Sequence, residues 1–190
     1  MRSLAFLCLA ILILPNTSWS HNGILAHLST LSEVTINGSS ADWPDTLTRY
    51  PIAYVPSHRP QIVASDLSAS FRGGFDPAEG ILYILVEVED DTLVVGQGSR
   101  GRRGFDGCRV VLDADHADGT FASEFTVIGT DRRSNGQGRE RNDWAGVELS
   151  VQRTESTHIY EWKFSLGAFE RDLGEQVSAL GFDIEIYDVD

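Results

Sequence analysis

From residue 68 onward, hydrophobic and polar positions alternate with a period of two, the spacing of side chains along a β-strand. Leu82, Ile84, Val86 and Val88 alternate with Ile81, Tyr83, Leu85 and Glu87. The first half of this run is apolar on both faces and the second half on one, as in a central strand nearing solvent. The preceding "FRGGFD" reads as a glycine turn. Cys108, Val110 and Leu112 alternate with Arg109, Val111 and Asp113, and Phe121, Phe125 and Val127 share one face of the next run. Three later runs repeat the pattern through Val147, Leu149 and Val151, then Tyr160, Trp162, Phe164 and Leu166, then Leu180, Phe182, Ile184 and Ile186. Short alternating strands split by Gly, Asp and Asn loops predict an all-β antiparallel sandwich, jelly-roll or immunoglobulin-like. The one helix candidate is short, around Leu166 to Leu173. Upstream, Val34 to Ile36 reads as an edge strand, "NGSS" as a turn, and "RYPIAYVPSHRP", with its three prolines, as an extended irregular segment.

Two long loops interrupt the strands, "GQGSRGRRGFDG" at 96–107 and "GTDRRSNGQGRERND" at 129–143. Long loops in compact domains are more often functional than average. If the runs on either side of residues 114–120 form a hairpin, one loop enters it and the other leaves it at the same end. The strand 81–88 finishes there too, and its end is crowded by Glu87, Glu89, Asp90 and Asp91. The expectation is a single rim where Glu89, Asp90, Asp91, Arg103, Phe105, Asp106, Asp143 and Trp144 converge and border a binding site.

The beginning of the chain changes this picture only in its location. "MRSLAFLCLAILILPNTSWS" has one Arg, an apolar run from Leu4 to Leu14, a proline and then small residues. That run is short against the ~20 residues of a spanning helix, so residues 1–20 read as a cleavable secretory signal and 21–31 as a lead segment. The expected location is secreted or periplasmic. Cys8 would leave with the signal, and Cys108 remains as a small buried hydrophobe. The net charge of −13 makes nucleic acid and anionic membranes poor partners, because both need a cationic face.

Several stretches, in order, carry a resemblance. "VTINGSSADW", "LYILVEVEDD", "DGCRVVLD", "WAGVELSV", "YEWKFSL" and "LGFDIEIYDVD" resemble the ordered motifs of family 9 carbohydrate-binding modules and their DOMON-like relatives, over residues 32–190. The resemblance implies a β-sandwich that holds a sugar between aromatic rings, often with structural calcium. Such modules occur on glycan-degrading enzymes and as input domains of signalling proteins. Asn37 stands where the family usually has Asp, and Gly104 and Phe105 stand where it often has Trp. Similar sequences commonly continue past "YDVD", so a further strand or an attached domain is expected downstream of Asp190.

A sugar's C–H face stacks on an exposed ring while neighbouring polar groups bond its hydroxyls. Trp144 and Phe105 are the platform candidates, with Asp106, Asp91, Arg103 and Asp143 as hydroxyl partners. Trp144 also reads as a core residue opening a strand. Trp162 reads as core and Trp43 as packing at the sandwich edge. "DADHADG" sets Asp113, Asp115 and Asp118 before a glycine, the oxygen-rich turn that calcium favours, and reads equally as a solvated acidic hairpin turn. No nucleophile elbow, HExxH helix, phosphate loop or CxxC pair is present, and the acids mostly alternate outward, so no catalysis is expected of this domain. Haem is not expected, since the sole methionine is Met1, and the five scattered histidines lack zinc spacing. The expected function is a non-catalytic carbohydrate-binding module, targeting a hydrolase or feeding a sensor. The alternative is a structural or protein-interaction sandwich without a sugar site.

Overall fold

The computed structural model describes residues 25–53, 66–96, 104–113, 122–135, 141–168 and 180–189. Its strands are β1 (Ser29–Thr30), β2 (Tyr50–Pro51), β3 (Leu67–Asp76), β4 (Ile81–Asp90), β5 (Gly107–Asp113), β6 (Ser123–Ile128), β7 (Asp131–Asn135), β8 (Val147–Arg153), β9 (Thr157–Ser165) and β10 (Gly181–Tyr187). One sheet has the order β1-β3-β4-β9-β8, with β2 also paired to β3; the other is β10-β5-β6-β7. All pairings are antiparallel except β1 with β3. The core lies between the sheets, where Leu82, Ile84, Val86 and Val88 of β4 meet Cys108, Val110, Leu112, Phe125 and Val127. Tyr160, Trp162 and Phe164 of β9 complete it. Cys108 is fully buried, and burial pushes its thiol pKa upward.

The apolar second face of β4 has a specific cause. Tyr83 and Leu85 point away from the sandwich interior and are covered by Leu31, Val34, Trp43 and Leu47 of the N-terminal segment. This third layer is fastened by one side chain. Glu161 of β9 is 0% exposed, and its carboxylate accepts the backbone N–H of Asn37 (2.8 Å) and of Gly38 and the indole N–H of Trp43 (2.7 Å). A buried carboxylate is tolerated only when its lone pairs are met by donors, and here three are supplied. Asn37 also accepts from Ser39 N (2.7 Å), an Asx turn that an aspartate would form in the same way. Gly38 takes φ +88°, a backbone shape that L side chains rarely adopt.

Several sequence expectations change. Residues 34–36 are not a strand; they run as irregular chain held by Thr35 N to Asp42 Oδ2 (3.0 Å), and the strand lies earlier, at β1. "FRGGFD" is the second half of β3 rather than a turn, which comes at 77–80. The glycines serve close approach: a Cβ on Gly74 would collide with Leu31, whose N–H donates to Phe75 O (3.0 Å). Residues 129–143 are not one loop, because β7 lies inside them. β7 reads "DRRSN" and offers no apolar period to detect; as a sheet edge it carries the charges that discourage further pairing. The helix candidate is a single 3-10 turn, Leu166–Ala168, within the described residues. Phe121 lies outside the described residues.

Replacing Glu161 by Gln puts an amide NH2 against donors and leaves at least one buried N–H unmet. We expect a loss of about 3 kcal/mol in urea unfolding, with the lead segment around Trp43 gaining hydrogen-exchange lability.

Candidate functional site

The predicted rim divides in two. β5 and β6 do form the expected hairpin pairing, with Gly107 opposite Ile128, so the ends of β4 and the entry to β5 meet. The second excursion turns at Gly129–Thr130, however, and β7 carries the chain back until Asn135 pairs with Glu124 at the other end. Asp143 and Trp144 therefore lie far along the sandwich from Asp91, Phe105 and Asp106. Arg103 lies outside the described residues.

Trp144 is half-buried between the edges of the two sheets. It packs edge-on to Phe125 (5.5 Å between centroids) and stacks nearly parallel to Trp162 (6.2 Å, 10°). The Arg132 guanidinium sits 6.0 Å from its centroid and donates to Leu149 O (3.1 Å), linking β7 to β8. The indole is thus a sandwich-closing wedge rather than a free-standing platform. Asp143 is half-buried beside it and takes up Ala145 N (2.9 Å), while its carbonyl accepts from Ser134 Oγ (2.7 Å). Phe105 is half-buried against Gly96. Asp91 is exposed, as a hydroxyl partner should be, and accepts from Thr92 Oγ1 (3.1 Å).

Asp106 departs most from its expected role. It is 1% exposed, and its two oxygens accept Val94 N and Val189 N, stitching the β4–β5 connection to the end of β10. Burial raises its pKa above the usual carboxylate value, with the Val94 N–H working against the shift. It is a buried structural carboxylate, out of reach of a ligand stacked on the surface. Beside it, one ligand atom each of Asp90, Asp106 and His158 lie within 4.8 Å of one another, and all three residues are buried. Among the described residues His158 Nε2 has no hydrogen-bond partner, and burial lowers the imidazole pKa. Of the calcium candidates, Asp113 ends β5 opposite Gly181, while Asp115 and Asp118 lie outside the described residues.

A polar groove of about 240 Å³ opens on the outer face of the larger sheet, lined by Arg49, Ser68, Ser70, Glu87, Glu89 and Thr157. It starts where the N-terminal cover stops. Arg49 (2.8 Å) and the nearly buried Arg72 (3.3 Å) both reach Glu87 Oε2, while Ser68 Oγ donates to Glu89 Oε2 (3.3 Å). Glu89 belongs to the acidic strand end noted in the sequence. Arg49, Ser68, Ser70 and Thr157 were missed, because they share a face only once the registers Ser70–Glu87, Ser68–Glu89 and Glu89–Thr157 are known.

No protein-family model matches the chain, and no curated protein matches it. Solved structures do. A family 9 carbohydrate-binding module from Caldicellulosiruptor kristjanssonii in complex with glucose aligns over 86% of this chain and 78% of its own, with TM-score 0.63 and 17% identity. A cellotriose complex of a family 9 module from that organism aligns over 86% and 76%, with TM-score 0.62 and 18% identity. The chain has the fold of a family 9 carbohydrate-binding module. At this identity the likeness is one of architecture.

Trp144→Ala should lower unfolding stability by about 2 kcal/mol, short of the ~3–5 kcal/mol of a fully buried Trp. Urea denaturation measures it; a free-standing platform would leave stability unchanged.

Proposed function

We propose that the chain is an extracytoplasmic carbohydrate-binding module, non-catalytic itself, that engages a sugar end or short glycan at the groove beside the acidic end of β4. The observation that carries the reading is the fold likeness over 86% of the chain to modules solved in complex with glucose and cellotriose. The chemistry of the groove supports it. Sugar hydroxyls are bound by carboxylates, guanidinium and hydroxyl groups held in fixed positions, and Glu87, Glu89, Arg49, Ser70 and Thr157 offer all three types. Arg49 and Arg72 bond one oxygen of Glu87 and so orient its carboxylate. A volume of about 240 Å³ falls below the ~300 Å³ of drug-sized pockets and suits one sugar ring or a chain end. The secretory character of residues 1–20 supports an extracytoplasmic setting, either on a glycan-degrading enzyme or as the input domain of a signalling protein.

The test is calorimetric titration with glucose, xylose, cello-oligosaccharides and xylo-oligosaccharides. Binding of at least one of them is expected. Glu89→Ala and Arg49→Ala should each weaken it about tenfold, or ~1.4 kcal/mol, without moving the urea midpoint. Absence of binding across the panel would leave the protein-interaction reading in its place.

A further inference from the structure

At the end of the sandwich where β4 finishes and β5 begins, three buried side chains converge without bonding one another. Asp90 (4% exposed), Asp106 (1%) and His158 (1%) come from the end of β4, the entry to β5 and the start of β9. Their ligand atoms lie within 4.8 Å of one another, so a common centre exists within about 2.8 Å of all three, against the ~2.0–2.2 Å of zinc bonds. Closing that gap takes less than an ångström. The carboxylates are already oriented from behind. Asp106 accepts Val94 N and Val189 N, and Asp90 Oδ1 accepts Thr92 N (2.9 Å), as metal ligands are typically held. The imidazole is the decisive member. A fully buried ring nitrogen with no partner among the described residues costs free energy unless something satisfies it.

We infer that Asp90, Asp106 and His158 form a binding site for one borderline divalent cation of the zinc class, which ties the two sheets together at this end. The charge balance favours a cation. Among the described residues, two carboxylates face one guanidinium, Arg153, whose field reaches both Asp106 and His158. The donor set selects the ion: calcium and magnesium take oxygen ligands in larger number, whereas two carboxylates with one imidazole suit a first-row metal. This site is distinct from the acidic turn of Asp113, and the inference does not depend on sugar binding.

The experiment uses the purified full chain, stripped with chelator and titrated by calorimetry with zinc and, separately, with calcium; cobalt serves as a spectroscopic probe. One zinc per chain is expected, with a higher melting temperature and cobalt absorption bands of a low-symmetry site. His158→Gln should weaken zinc about tenfold or more and abolish the cobalt bands, while leaving glucose or cello-oligosaccharide titrations as they are in the parent. Asp90→Asn is the second variant, with the same expected loss; Asp106 is spared because it holds two backbone amides. Failure to bind zinc stoichiometrically overturns the inference. So does zinc affinity unchanged in both variants, or calcium displacing zinc at equal concentration.

Discussion

The structure turns on a carboxylate that should not be where it is. Glu161 lies on the outward face of a central strand, the position where an acid normally meets water, yet it is 0% exposed. It stays there because the "NGSSADW" segment delivers two backbone amides and an indole N–H to it. Removing that segment would expose Tyr83 and Leu85; removing the acid would leave three donors facing apolar surface. Each half therefore requires the other. The cover that results also decides where the groove lies. Leu47 is its last buried side chain, and Arg49, two residues on, already reaches Glu87 at the groove wall. The open polar floor is the part of the sheet that the N-terminal layer does not reach.

How much of this was legible in the sequence depends on where the information sits. Strands β4, β5, β8, β9 and β10 were readable because each presents a continuous apolar face to one core, which imposes period two on neighbouring residues. Even the two-sided run at 81–85 was visible, although what covers it was not, since the partner lies some forty residues upstream. β7 was illegible for the opposite reason: only Ser134 of its five residues is buried, so nothing in the segment alternates. That one omission misplaced Trp144. With residues 129–143 taken as a loop, the indole falls at the β4 end; with β7 restored, it falls against Phe125 and Trp162 on the far side. The Gly73–Gly74 pair misled similarly, because close approach of a neighbouring side chain and a tight turn both select glycine.

The aromatic side chains are spent on closure more than on display. Trp162 stacks with Phe164 (5.7 Å, 7°) and Trp144, and Phe125 touches both Phe164 and Trp144. This row fills the side of the sandwich between the edge strands β7 and β8, where among the described residues no strand pairing joins the sheets. The acids, by contrast, are largely handled on outward faces. Arg109 is paired with both Glu124 (3.5 Å) and Glu185 (2.7 Å) across the smaller sheet, and Lys163 with Glu148 (2.6 Å) on the larger. Such partly exposed pairs contribute little to stability, but they relieve a chain of net charge −13 from like-charge crowding.

The acids at the end of β4 are the exception, and period two explains why they come as neighbours. Glu89 points outward to the groove and Asp90 inward to His158 and Asp106. The facing strand repeats the division, since Thr157 lines the groove and His158 enters the buried cluster. One pair of adjacent residues on each strand thus serves two environments separated by the thickness of a sheet. The register Glu89–Thr157 and Val88–His158 is common to both. An ion held by Asp90 and His158 would brace the end of the ladder, beyond which the pairing stops. The crowding of carboxylates is then neither a solvated strand end nor a single acidic site. It is the two faces of one strand, each carrying its own demand for oxygen donors.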